Sequence, residues 1–448
     1  MAKEQEAGRA RFDTHESTER GDDASNQEKP LAKAPSIPEK KPVDPLVEAF
    51  DACFEEFKGR DHAGQVALFT QTLNDKALMD DEMAFSMLEI LYEHSIKMGD
   101  YDEFDALLEE LRLRLPEVYD HDAHYYCAWR ISRALCCGRV ERLPALAREI
   151  AKTAGHQIDT FNPVADQLAY HGHLSVLIDA YSIAWPLVKE SSDVVPWGID
   201  AFSRRAGDYV IFDALEKGVT VEDAASVLKD SLAPYHDDVD PEKLMEYFTH
   251  IYVRSDGHWT QDDFDFLNKP HSDAEGDEEG DAEDDKADNL YWLSLEFLGY
   301  LRRTEGVPYT KGELARKQLH RYLLERHAGK LEWRPSPLEA MMNRGSKPKK
   351  KSPVRSSVRH GLCPDPETLD RYFGQLLHFI SPQHYKAAAT MELIPAWLRF
   401  LESLGLIGAQ QREKTLLDLQ ELTNGLLKAW EGYLADPALK DGLVRAQS

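Results

Sequence analysis

Cysteine is scarce and unpatterned in this chain. Cys53, Cys127, Cys136, Cys137 and Cys363 are odd in number and form no CxxC pair, which excludes a disulfide framework and a zinc ribbon and points to a reducing compartment. Long uncharged apolar runs are missing as well: the nearest, "HLSVLIDAYSIAWPLV", carries Asp179 inside it and falls short of the roughly 18 to 20 residues that span a bilayer. The amino-terminal "MAKEQEAGRARFDTHESTERGDDASNQEKP" lacks the apolar core of a secretory signal. The expectation is a cytoplasmic protein with no membrane partner. Positive charge is in deficit, with 53 Lys and Arg against 80 Asp and Glu for a formal charge of −27, which works against wholesale association with phosphate backbones. Nucleotide and nucleophile motifs are absent too: no GxxxxGK[ST], no GxGxxG after a strand, no GxSxG elbow. No cofactor is expected, and no segment alternates as a half-buried strand would. The fold class that remains is all-α.

What is present is enough for two or three domains: 448 residues, 42% apolar and 10% aromatic. Residues 1–44 hold few large apolar side chains and read as a disordered tail. From Pro45 the pattern becomes helical. Ala84, Met87, Leu88 and Leu91 recur at i, i+3, i+4, i+7, and Phe104, Leu107, Leu108, Leu111 and Leu115 do the same before Pro116.

Two stretches share letters: "GDYDEFDALLEE" from Gly99 and "GDYVIFDALEKG" from Gly207. Read as turn positions, Gly59, Gly99, Gly138, Gly172 and Gly207 are spaced by 40, 39, 34 and 35 residues, the length of one helical hairpin in a stacked array. Around Gly99, the turn glycine, Tyr101 and Pro116 stand where tetratricopeptide repeats place such residues, and residues of about 45–220 resemble a degenerate form of that family. Tyr92 and Phe104 depart from it, standing where the family packs small residues. The units at Gly138, Gly172 and Gly207 lack the terminal proline, and "DAFSRRAGDYVIFDALEKG" also reads as one unbroken helix. The resemblance implies a solenoid that binds a partner on its concave face.

The expected organisation is a helical-repeat domain over 45–257, an acidic linker over 258–289, a helical module over 290–342, a basic linker over 343–362, a C-terminal helical bundle over 363–436 and a tail over 437–448. The acidic segment "SDAEGDEEGDAEDDKAD" has ten acids and one lysine. Thr310 and Glu313 read as a capping box, Asp240 ahead of Pro241 as an N-cap, Pro395 as a kink, and Gly405 as a helix end.

Candidate chemistry is thin. An EF-hand frame from Glu275 fails at its twelfth position, Lys286. His121, His124 and Cys127 in "HDAHYYC" are candidate metal ligands by spacing, with His171 and His173 one repeat away. Cys136 and Cys137 read as buried filling. Between Asn289 and His360 sixteen Lys and Arg meet six Glu. There Ala315, Leu319, Tyr322 and Leu323 form an inward stripe, with Arg316, Lys317, His320 and Arg321 outward. Arg316, Lys317, Arg321 and the run Lys347, Lys349, Lys350, Lys351 are therefore candidate phosphate contacts. The leading reading is a non-enzymatic scaffold that binds an unidentified protein. The alternative is a nucleic-acid-associated protein whose acidic linker mimics phosphate, and a metal enzyme comes third.

Overall fold

The structure is a computed structural model of the chain. It describes residues 45–99, 102–235, 240–252, 259–268, 280–332, 360–378, 381–431 and 436–447, with backbone alone at 280–286, 431 and 447. The chain divides into Met1–Glu48 and Ala49–Ser448. Of the first unit only the opening turn of α1 is described.

Among the described residues every regular element is helical, as the sequence pattern requires. In chain order these are α1 (Pro45–Lys58), α2 (His62–Thr72), α3 (Asp81–Met98), α4 (Asp102–Arg114), α5 (Pro116–Cys136), α6 (Leu143–Ala151), α7 (Ile158–Tyr170), α8 (Leu174–Lys189), α9 (Pro196–Glu216), α10 (Val221–Leu232) and α11 (Pro241–Tyr252). They are followed by α12 (Gly280–Thr304), α13 (Tyr309–His327), α14 (Pro366–Leu376), α15 (His384–Ser403), α16 (Ala409–Glu431) and α17 (Pro437–Gln447), and short 3-10 turns occupy Val140–Arg142 and Gln261–Asn268. No helix of the described residues is long and apolar enough to cross a membrane.

Two apolar cores form within the second unit. The first runs from Phe57 to Tyr126 and buries the stripes of α3 and α4, including Met87, Leu88, Leu91, Phe104, Leu108 and Leu111. Tyr92 and Phe104 are 5.5 Å apart between ring centroids, and Tyr92 stacks on Trp129 at 5.0 Å, so aromatic packing fills the space that small residues would leave. Helix starts obey local chemistry. The Asp80 carboxylate accepts from the Met83 amide at 2.9 Å, and Asp240 accepts from the Glu242 amide at 2.9 Å ahead of Pro241.

The second core is continuous from Cys127 to Leu443. In an open solenoid each hairpin would touch only its neighbours. Here α7 packs against α5 and α8 and also against α13 and α15, far along the chain. The C-terminal helices therefore lie against α7. The turn glycines explain part of the spacing: Gly99, Gly138 and Gly172 have φ of 71°, 69° and 80°, the left-handed region that favours glycine. Tyr101, the next residue of that motif, lies outside the described residues.

Several expectations change. Gly207 is buried inside α9, and the turn comes at Gly218 (φ 75°). The stripe Phe202, Ala206, Tyr209, Phe212 carries the helix across it. A mid-helix glycine costs only about 1 kcal/mol, less than burying that stripe returns. The shared GDY letters thus mark a turn once and a helix interior once. Thr310 does not cap α13: Pro308 precedes its first residue, the Thr310 hydroxyl donates to the Ala169 carbonyl at 2.7 Å, and Glu313 pairs with Arg316. The acidic segment is helical from Gly280 onward. Residues 437–447, expected as a tail, form α17, which buries Leu439 and Leu443. Helix α15 continues through Pro395, while Gly405 (φ 73°) stands just past its C-cap Leu404, at the helix end where the sequence places it.

Candidate functional site

The residues nominated by sequence do not converge. Lys347, Lys349, Lys350 and Lys351 lie outside the described residues. Arg316 is the clearest correction, because it is 4% exposed where its position on the stripe placed it outward. Its guanidinium donates to both Glu313 oxygens, at 2.6 and 2.7 Å, and to the Ser294 hydroxyl at 2.9 Å. The helix is buried on more than one face, since α12 covers the side that an isolated amphipathic helix would leave in water. Lys317 bonds Asp208 at 2.6 Å and Glu313 at 3.1 Å. Arg321 stays exposed and pairs with Glu325 at 2.7 Å. His320 is turned inward, and burial and then Arg316 lower its pKa to about 4.

The histidine and cysteine candidates separate as well. His121 is exposed, 3.3 Å from Asp81 and 3.4 Å from Asp122. The backbone of α5 leaves helical geometry at Asp122 (φ −113°, ψ 17°). His124 is buried, and burial lowers its pKa. Cys127 is packed into the second core, and burial pushes its thiol well up. Among the described residues no group of three or more His, Cys, Asp or Glu side chains is placed to hold a metal ion. Cys137 is exposed and Cys136 half-buried, so neither is the buried filling expected. His171 instead pairs with Asp436 at 2.7 Å, a contact that fastens the start of α17.

Two concavities stand out. The first is a charged cavity of about 170 Å³ between α9, α13 and α15, lined by Arg205, Asp208, Tyr209, Glu313, Lys317 and Lys386, among others. The Arg205 side chain donates to Asp166 and, through Nε, to the Tyr209 hydroxyl at 2.8 Å. Lys386 reaches the other Asp166 oxygen at 3.3 Å and Gln383 at 2.8 Å. Burial pushes the Asp208 carboxyl above its ordinary value, although Lys317 pulls it down. Burial also acts to raise Glu313, but Arg316 and Lys317 outweigh it and hold that carboxyl at about 2. Two carboxylates on one ammonium are thus shifted in opposite directions.

The second is a groove of about 400 Å³ between α15 and α16, with Ala446 of α17 also in its lining. Its apolar walls include Met391, Ile394 and Pro395 from α15 and Leu416, Leu417 and Leu419 from α16. Leu417 is 69% exposed. Arg399 and Glu413 stand at its polar rim, Arg399 tied to Glu305 by two hydrogen bonds of 2.9 Å.

Sequence reasoning missed most of this. Asp208 and Tyr209 were visible only as letters of the GDY likeness, and Lys386 carried no signal. Leu416, Leu419, Thr423 and Leu426 have the spacing of an ordinary core stripe, and Leu417, one residue off it, is left exposed beside the groove where α15 packs against α16. No protein-family model matches the chain, and neither a curated protein nor a solved structure is detectably similar to it.

Proposed function

We propose that the chain is a non-enzymatic helical scaffold that binds another protein. The observation that carries this reading is the open apolar groove between α15 and α16, with Leu417 left 69% exposed at its wall. A lone exposed leucine has no significance, but one continuous with a concave apolar surface is characteristic of a binding face. The groove suits an amphipathic helix that presents two or three large apolar side chains at i, i+3 or i+4 and i+7. This reading puts the binding surface on the C-terminal helices α15 and α16 and not on α7, which packs against α13 and α15.

The test is affinity capture by the full-length chain, comparing wild type with Leu417→Asp and with Leu113→Asp. Leu113 is 81% exposed on α4, so both variants change surface positions. Proteins retained by wild type and Leu113→Asp, lost with Leu417→Asp, and insensitive to nuclease and moderate salt are the expected result. Equal retention by both variants rules out the groove. Nucleic acid that co-purifies and is lost at higher salt would instead favour the phosphate-binding alternative.

A further inference from the structure

The charged cavity is independent of the groove, and its charge count is uneven. Four cations (Arg205, Arg316, Lys317, Lys386) and three carboxylates (Asp166, Asp208, Glu313) make up its network. The formal sum is one positive charge, in a chain of −27. The excess is localised. At one end Arg316 and Lys317 meet Asp208 and Glu313, two against two. At the other end Arg205 and Lys386 share the single carboxylate of Asp166. Lys317 already bridges Asp208 and Glu313, so a ligand amine would find its place taken by the protein's own ammonium. An anion would find two cations with one counter-charge between them.

A polar group of the lining is also left over. Gln318, which lines the cavity, accepts from Tyr372 at 2.7 Å through its amide oxygen, which leaves its amide N–H groups to donate. Access is open: the side chains of Lys386 and Lys317 are 24% and 45% exposed, while Asp166, which pairs with Arg205 and Lys386, is only 5% exposed. The space of about 170 Å³ is several times the roughly 30 Å³ that one water takes up in the liquid.

We propose that this cavity binds a small oxyanion, bearing carboxylate or phosphate oxygens, between Arg205, Lys386 and the Tyr209 hydroxyl. Charge-assisted hydrogen bonds from a guanidinium and an ammonium in a partly desolvated space are the strong ones available to such a ligand. The ligand supplies the second negative charge that Asp166 alone does not.

Calorimetric titration of the full-length protein with sodium phosphate, and separately with sodium acetate, at constant ionic strength tests the assignment. One saturable site is expected, weakened by about tenfold or more in Lys386→Gln. It should be unchanged in Arg148→Gln, whose side chain pairs with Asp179 on the surface. Lys386 sits at the accessible rim, so its variant keeps the inner Arg205–Asp166 pair and the fold, which circular dichroism verifies. Binding of phosphate alone assigns a phosphoryl ligand, and binding of acetate alone assigns a carboxylate. Absence of saturable heat with both anions at millimolar concentration overturns the proposal, as does equal affinity in Lys386→Gln.

Discussion

Asp105 shows how single residues hold the first core to the elements after it. Its two oxygens accept from Arg130 Nε at 2.7 Å and from Arg142 at 2.8 Å, while Arg130 also reaches Glu109 at 2.7 Å. The Arg130 and Asp105 side chains are 5% and 9% exposed. Removing one partner of a buried pair leaves the other charge desolvated, which costs about 3–5 kcal/mol. Glu109 compensates in part, so Asp105→Ala should sit near the lower end of that range. The neighbouring Asp102–Arg139 pair has side chains 70% and 48% exposed, and Asp102→Ala should change stability by less than about 1 kcal/mol. Urea unfolding of both variants checks the contrast. Equal effects would mean that the buried pair is no more than a surface contact.

At the scale of elements, the crossing of α11 over α12 depends on Gly299. A Cβ there would overlap the Ile251 carbonyl, which also accepts from the Arg303 guanidinium. Backbone cannot yield as a side-chain tip does. Alanine is the better helix former by about 1 kcal/mol, but the overlap is expected to win, so Gly299→Ala should destabilise by about 1–3 kcal/mol. Gly374, on an exposed turn of α14, has nothing within 4 Å of the added methyl. Gly374→Ala should stabilise by up to about 1 kcal/mol. Thermal unfolding gives the signs directly, and a stabilised Gly299→Ala would refute the close crossing. The same contrast explains what the sequence made legible. The stripes of α3, α4 and α13, the cap at Asp240 and the turn at Gly99 rest on local spacing and local hydrogen bonds, and they are found where the pattern places them. Thr310 and Arg316 depart from the pattern because distant helices decide their roles: Ala169 accepts from Thr310, and α12 brings Ser294 to Arg316. Gly207 follows the other of its two readings, the unbroken helix, because the stripe of α9 runs across it. Of the candidate site, Lys317 and Arg316 are legible for their charge and Thr310 and Glu313 as a cap, none of them for the cavity itself.

For the whole molecule, acid stability depends on its inward histidines. Burial is the leading cause lowering the pKa values of His124, His173, His320, His360 and His384. A histidine whose folded pKa lies below its unfolded value of about 6.5 contributes stability that is complete above that pH. The contribution is lost as pH falls towards the folded pKa, because the unfolded chain takes up the proton first. His320, at about 4, has the widest window. Arg316 adds to the effect of burial, Glu313 opposes it, the Tyr291 ring lies 6.0 Å away edge-on, and the ring Nε2 is buried without a partner among the described residues. The full shift corresponds to about 3 kcal/mol between pH 6.5 and 4, an upper bound for a partly buried ring. Acidification also relieves the self-repulsion of a chain of −27, which acts in the opposite direction and hides the slope in wild type alone. That term is common to wild type and a neutral variant, so their difference isolates the histidine. His320→Leu should therefore lose less stability than wild type between pH 7.5 and 4.5, by about 1–3 kcal/mol in urea unfolding. Parallel pH profiles would show that His320 titrates alike in both states and that α12 and α13 do not exclude water from it.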